Sequence, residues 1–189
     1  HLQELARLKT VLASRNALLR QGRPRRETRP WDQLLYQLSL TVGKRREELV
    51  LSLNDICQGF FARLTSKEKG IELSYKQCWP ADWDEFQARL EELHPREVMR
   101  GATLLSPHKD DLEIHRQERS LRTYGSQGEQ RLVALCLRLA EAGQLARQKN
   151  ERAILLLDDA FSELDPERKA RLLAILPDFS QVFLTSASP

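Results

Sequence analysis

The sequence predicts an α/β protein in which a helical arm, residues 1–100, leads into a domain of parallel strands and helices, residues 101–189. Three observations carry that reading. Apolar residues recur at helical spacing through the first hundred positions, beginning with Leu2, Leu5, Leu8, Val11, Leu12, Leu18 and Leu19. Beyond Gly101 the pattern shifts to short runs of strand type. Two of these, Ile154–Leu157 and Val182–Thr185, flank a helical stretch from Pro166 to Leu176, a strand–helix–strand layout that implies parallel pairing.

Taken in order, the first helix should run from Leu2 to Arg20 and stop at Gly22 and Pro24, with the arginine-rich stretch to Pro30 as a linker or tip. Helices are expected from Trp31 to about Leu40 and from Arg45 to about Leu64. Gly70 breaks that pattern, and Ile71–Tyr75 alternates like a short strand. A polar helix from Trp83 to Arg100 follows Pro80. Ala102–Leu105, Leu112–His115 and Ser120–Thr123 read as short strands. A helix from Gly128 to about Gln148 is apolar on nearly every side between Leu132 and Ala140, which implies burial. Ile154–Leu157 is continuously aliphatic, as expected of a strand covered on both faces, and Val182–Thr185 reads as a last buried strand.

Charge is unevenly placed. The chain of 189 residues carries +3 overall, yet residues 1–29 hold eight basic groups against Glu4 and Glu27, a net of +6. A basic end on a near-neutral body suits a polyanionic partner, although a solvated face explains most such runs. No apolar run approaches the roughly 18–20 residues that span a bilayer, so no membrane partner is expected. The first residue is His1 and the start has no secretory layout, so a fragment of a longer protein is expected. Cys57, Cys78 and Cys136 form no CxxC pair, which points away from zinc and disulfide frameworks and towards a reducing cytoplasm.

Three segments carry chemistry. Ile154–Leu157 delivers Asp158 and Asp159 to the carboxyl end of a strand, where open α/β sheets bind their ligands. Alternate side chains on a strand point oppositely, so the pair must bend into a loop to act together. One such Asp can hold Mg²⁺ beside a nucleotide and the next can orient a water; a strand ending in solvated acids fits the hexapeptide equally well. Ser162-Glu163-Leu164-Asp165-Pro166 reads as a helix start, with Asp165 as N-cap. In Tyr124-Gly125-Ser126-Gln127-Gly128-Glu129-Gln130-Arg131, two glycines bracket a serine before a long helix. Such a turn is either an ordinary cap or an anion seat built from free amides and a hydroxyl.

Ser126–Arg131, Ile154–Asp159 and Ser162–Asp165 together resemble the signature motif, the Walker B motif and the D-loop of ABC ATPases, in that order. Ser106-Pro107-His108-Lys109-Asp110-Asp111-Leu112 resembles an element of the RecF family, with Ser106 in place of the usual glycine. Arg15–Gln21 and Arg29–Asp32 resemble that family's helical arm. The resemblance implies the C-terminal part of an ABC-type P-loop ATPase head preceded by the arm, and it implies roles. Asp158 would lie beside Mg²⁺ and Asp159 would be the catalytic carboxylate, where many ABC ATPases have Glu. Ser126, Gln127, Gly128 and Glu129 would meet the γ-phosphate of ATP held by a second subunit. Ser162 and Asp165 would line the interface between subunits, near nucleotide. Ser186 stands where many ABC proteins have a switch histidine, consistent with a slow ATPase used as a switch.

For the whole protein the resemblance implies an ATP-gated clamp on gapped or junction DNA in recombinational repair. It would dimerise with ATP, hydrolyse it weakly, work with RecO- and RecR-like mediators to help load recombinase, and reside in the cytoplasm at the nucleoid. Arg15, Arg20, Arg23, Arg25 and Arg26 are the arm residues expected to meet DNA phosphates. No glycine of the chain fits GxxxxGK[ST]. The family carries that loop ahead of the arm, so it is expected upstream of His1, and this chain alone is expected to be inactive. The alternative is a bridging protein with an SMC-like head; the short, interrupted helices before Gly101 suit long coiled coils poorly.

Overall fold

The computed structural model describes residues 2–66, 70–161 and 164–185. The chain divides into two compact units, His1–Glu48 with Tyr75–Leu112 and Leu49–Ser74 with Glu113–Pro189. Its elements are α1 (Leu2–Arg20), α2 (Arg25–Thr65), β1 (Glu72–Lys76), α3 (Trp83–Arg100), β2 (Asp111–Arg116), β3 (Arg119–Ser120), α4 (Leu121–Tyr124), α5 (Gln127–Lys149), β4 (Ile154–Leu157), α6 (Pro166–Ile175) and β5 (Gln181–Leu184). Strands β1, β2 and β3 form one sheet in that order, and β4 pairs with β5 in another. This is the mixed helix and parallel-strand class the sequence implies.

The first unit is built around an apolar cluster of Leu8, Val11, Leu35, Leu38, Phe86 and Leu90 with Trp79 and Leu105. Each such side chain contributes roughly 1.5–3 kcal/mol by leaving water. Tyr36, Trp83 and Phe86 pack with ring centroids 5.1–6.3 Å apart, so the tryptophans are groove and core residues of the arm. Beside this cluster lies a fully buried guanidinium. Arg15 donates through Nε to Asp32 at 3.2 Å, through Nη1 to Thr103 at 2.9 Å and through Nη2 to Glu97 at 2.7 Å. Arg25 Nη1 meets the other oxygen of Asp32 at 2.5 Å.

Two breakers in the sequence do not break α2. The helix begins at Arg25, runs through Pro30 and continues across Gly43, where separate helices and a linker are expected. The buried side chains of Arg25, Thr28 and Asp32 tether the extra turns. At Gly43 a Cβ would stand 2.7 Å from the Trp79 ring, so this glycine makes room for an indole and does not punctuate the chain.

A third expectation is overturned at Ala102–Leu105, which is irregular and not a strand. Its amide groups are satisfied by side chains: Asn16 Oδ1 accepts from Thr103 N at 2.7 Å, and Glu97 Oε1 accepts from Leu104 N at 2.8 Å. Groups so paired have nothing left to offer a ladder. Ser120–Thr123 likewise turns from β3 into α4 after two bridge pairs, His115 with Ser120 and Arg116 with Arg119.

In the second unit, α5 buries Leu132, Val133, Cys136, Leu139 and Ala140, while Ala134 and Arg138 stay exposed. It is therefore amphipathic and not buried all round. The later turns of α2 lie against it: Ser52 Oγ donates to Gln144 Oε1 at 2.9 Å. Asn54 Oδ1 accepts from Leu73 N at 2.9 Å, securing the start of β1. Phe60 stacks on Phe179, centroids 6.4 Å apart.

Strands β4 and β5 are parallel, with Leu155 opposite Val182 and Leu157 opposite Leu184. Only one face is covered. Leu155 and Leu157 are buried, but Ile154, Leu156 and Phe183 are 60%, 73% and 52% exposed. An aliphatic run is suited to burial on both faces; how many faces are covered depends on what else packs there.

The buried ion cluster generates the first prediction. Arg15→Ala strands the buried Glu97 carboxylate, leaves Asp32 to Arg25 alone, and should lower the unfolding free energy by about 3–5 kcal/mol. The exposed Arg26→Ala should change it by less than ~0.5 kcal/mol. Urea unfolding followed by circular dichroism checks both values.

Candidate functional site

The Ser126–Arg131 segment forms the N-terminus of α5. Ser126 is its N-cap, extended at φ −62° and ψ 158°, and a reciprocal capping box closes the turn. Ser126 Oγ accepts from Glu129 N at 3.3 Å. Glu129 Oε2 accepts from Ser126 N at 3.0 Å and from Ser126 Oγ at 3.1 Å. Gln130 Nε2 donates back to Leu121 O at 3.0 Å and Gly125 O at 3.2 Å, fastening the preceding loop. Ser126, Gln127 and Gly128 are exposed. Nothing lies within 4 Å of where a Cβ on Gly128 would stand. Glycine inside a helix costs about 1 kcal/mol relative to alanine, and here no packing among the described residues requires it. The first turn of α5 is thus bare backbone facing outward, with the dipole and unpaired amides that attract anions.

The carboxylate pair sits where β4 ends. The chain turns at once, with Asp159 at φ +48°, a left-handed conformation uncommon outside glycine. That turn brings both adjacent acids out of the strand on its exposed end. Thr185, just past β5, bridges them: its Oγ1 donates to Asp158 Oδ1 and accepts from Asp159 N at 3.0 Å. The register explains the meeting, since Leu157 stands opposite Leu184 and the next residue of each strand follows.

A cleft of about 440 Å³ joins the two segments. Gly128, Arg131 and Leu135 of α5 line one side, and Leu156, Asp158 and Asp159 the other. The structure therefore brings Gly128 and Arg131 of the glycine–serine turn and the Asp158–Asp159 pair to one concavity in the second unit. Asp165 caps α6, accepting from Arg168 N at 2.8 Å, with Pro166 as the first helical residue. Ser162 and Ser186 lie outside the described residues.

The arm arginines separate into two groups. Arg15 and Arg25 are buried in the ion cluster, so their expected place on a DNA-facing groove is corrected: their charge is spent on Asp32, Glu97 and neighbouring groups. Arg20, Arg23 and Arg26 are exposed, with Arg23 3.7 Å from Glu27.

Sequence reasoning missed several residues. Asp110, in the Ser106–Leu112 element, is a buried acceptor hub: it takes the Tyr75 hydroxyl, Cys78 N at 2.9 Å and Trp79 Nε1 at 3.1 Å. Burial pushes the Tyr75 phenol up, and the bond to Asp110 adds to it. Ser106 is buried with its hydroxyl 2.6 Å from His108 Nδ1, and burial followed by the Lys109 charge draws that imidazole down. This element is thus a structural knot of the first unit, whose His108 and Lys109 face solvent. Thr185 was legible only as a hydroxyl at the end of the neighbouring strand. Arg116, which pairs with Glu129, carried no sequence signal.

Fold and site together define a portion of an ABC-type ATPase head. Residues 106–178 match the family domain described as SbcC/RAD50-like, Walker B motif. The DNA replication and repair protein RecF of Herpetosiphon aurantiacus is 36% identical over 195 residues, covering 100% of this chain and 51% of the relative. Its counterpart in Bacillus subtilis is 33% identical over 202 residues, covering 100% and 54%. A solved structure of the recombination mediator protein RecF with ATP, in the RecFOR pathway, superposes with a TM-score of 0.81 at 26% identity, over 99% of this chain and 53% of that one. The chain is similar to these RecF proteins along its whole length, and it spans about half the length of the curated relatives it matches.

The Thr185 bridge is directly testable. Thr185→Val removes the bond to the Asp159 amide, so hydrogen exchange at that amide should quicken roughly five- to tenfold, the worth of one hydrogen bond of about 1 kcal/mol. Thr185→Ser should restore protection, read by NMR.

Proposed function

We propose that this chain contributes the signature turn and the Walker B carboxylates of a RecF-like, ATP-gated DNA clamp acting in recombinational repair. The observation that carries the reading is the bare first turn of α5. It holds an exposed serine cap and a glycine that nothing among the described residues requires, and it shares a cleft with two exposed carboxylates. A phosphate brought by another subunit would find the amides of Gln127 and Gly128 there, and no side chain on Gly128 in the way. ATP sandwiched between two subunits then favours the closed dimer by its differential affinity for that state, and hydrolysis releases it.

Asp158 and Asp159 fit a magnesium ion carried with the nucleotide. Mg²⁺ keeps most of its waters and takes one or two carboxylates plus phosphate oxygens, and among the described residues no larger ligating cluster exists. The ion would supply charge neutralisation at the phosphates. Asp159, held by its turn and by Thr185, would orient a water, and the Thr185 bond would hold the Asp158 carboxylate in one orientation. Asp165 would face the partner subunit with its cap intact. The chain has no phosphate loop of its own, so the β- and γ-phosphates need a cradle from elsewhere. Gapped or junction DNA, RecO- and RecR-like mediators, and a place at the nucleoid complete the proposal. Of the arm arginines, Arg20, Arg23 and Arg26 remain available to phosphates.

The SbcC/RAD50-like match favours a second reading, a bridging protein with the same head. The two share the signature and Walker B chemistry and differ in whether ATP gates loading on gapped DNA.

The test joins this chain to a phosphate-loop half and measures mass by light scattering, with and without MgATP and gapped DNA. Dimer should form with ATP in the wild type. In Ser126→Arg it should weaken at least about tenfold, because a bulky side chain fills the phosphate seat and charge-assisted bonds are lost. Dimers that form equally in both, or without ATP, would remove the clamp reading.

A further inference from the structure

We propose that Glu129 is an internal competitor for the phosphate seat at the head of α5, so that its carboxylate must leave before a phosphate can take the Ser126 donors. The inference rests on the reading of Ser126–Gly128 as that seat.

A serine hydroxyl has one proton to give. In this structure Ser126 Oγ lies 3.1 Å from Glu129 Oε2, and the same oxygen accepts from Ser126 N at 3.0 Å. Two donors of the signature turn are therefore already committed to a carboxylate of the chain itself. An incoming phosphate needs the same donors, and it meets a negative charge standing where its own oxygens would go. Only the amides of Gln127 and Gly128, in the first turn of the helix, lie outside this contact.

The carboxylate also has a second anchor. Arg116, at the end of β2, pairs with Glu129 Oε1 while its guanidinium lies 6.0 Å from the centre of the Phe61 ring. Arg116 and Glu129 both line a cavity of about 280 Å³, together with Arg119, Tyr124 and Gly125. Glu129 can rotate towards that space without losing its countercharge. Two positions follow. In one, Glu129 bridges Arg116 and Ser126, and the seat is closed. In the other it stays with Arg116 alone, and the serine hydroxyl and amide turn to the phosphate. Arg116 is carried by a tight hairpin that turns at Gln117 and Glu118, φ +50° and +64°, and pairs with Arg119 across it.

A capping box that only stabilises the helix makes the opposite prediction. Glutamine also closes such a box, so on that account Glu129→Gln leaves phosphate affinity unchanged. Under competition, removing the charge tightens binding. The full chain is titrated with sodium tripolyphosphate at neutral pH, following the backbone amides of residues 126–128 by NMR, with melting curves confirming that each variant is folded. Glu129→Gln should bind roughly fivefold more tightly than the wild type, the equivalent of one cap bond, and Ser126→Arg should not bind. In the wild type, the Glu129 side-chain carboxyl resonance should move together with the Gln127 and Gly128 amides, a readout that needs no variant. Equal or weaker binding by Glu129→Gln, or a carboxyl resonance that stays still while those amides shift, overturns the competition and leaves the seat standing. No shift at the amides in any form overturns seat and competition together.

Discussion

A guanidinium sealed from water has to find its countercharges inside the protein, and in the arm that need sets the placement of three helices. Arg15 from α1 reaches Asp32 of α2 and Glu97 of α3, and its third bond goes to Thr103 in the segment that follows. Leaving any of these unmatched would cost several kcal/mol, so the helices are held in register by charge as well as by the apolar cluster beside them. The consequence runs onward along the chain. Glu97 and Asn16 take the amides of Leu104 and Thr103, which excludes a strand there and delivers Ser106–Asp110 in the conformation that lets Asp110 gather the Tyr75, Cys78 and Trp79 donors.

The second unit works by a different economy of contacts. Its chemistry-bearing groups stand at the ends of regular elements, where backbone geometry and not bulk sets direction. The parallel register of β4 and β5 puts a threonine beside two aspartates. The capping box of α5 orients Ser126, and Gln130 ties the loop before it. Such positions are rigid at little cost, since the bonds that hold the functional groups are the same bonds that satisfy strand and helix termini. Glu129 shows the tension this creates: the bond that completes the cap withholds the donors a ligand would need.

Much of this was legible in advance. The glycine–serine turn that opens a long helix, the parallel pair of strands, the N-cap at Asp165 and the bend that frees Asp158 and Asp159 all follow from local patterns of glycine, proline, aliphatic and acidic residues. Errors gathered where partners distant in sequence decide the outcome. Pro30 and Gly43 look like helix breakers, yet α2 passes both, because Asp32 is clamped by arginines and an indole occupies the room Gly43 leaves. Arg15 and Arg25 read as part of a basic face, yet they are interior.

What the sequence by itself determined was the kind and order of the elements and the chemistry at their ends, because capping, turn formation and strand pairing depend on residues a few positions apart. What only the tertiary structure decided was which charges are spent and which remain available. Arg15 serves the core, Arg26 stays exposed, Glu129 is held by Arg116, and Leu156 faces outward. Burial and pairing belong to whatever packs over a residue, and that neighbour is set by the folded chain, with Arg15 and Thr103 separated by 88 positions and joined by one hydrogen bond.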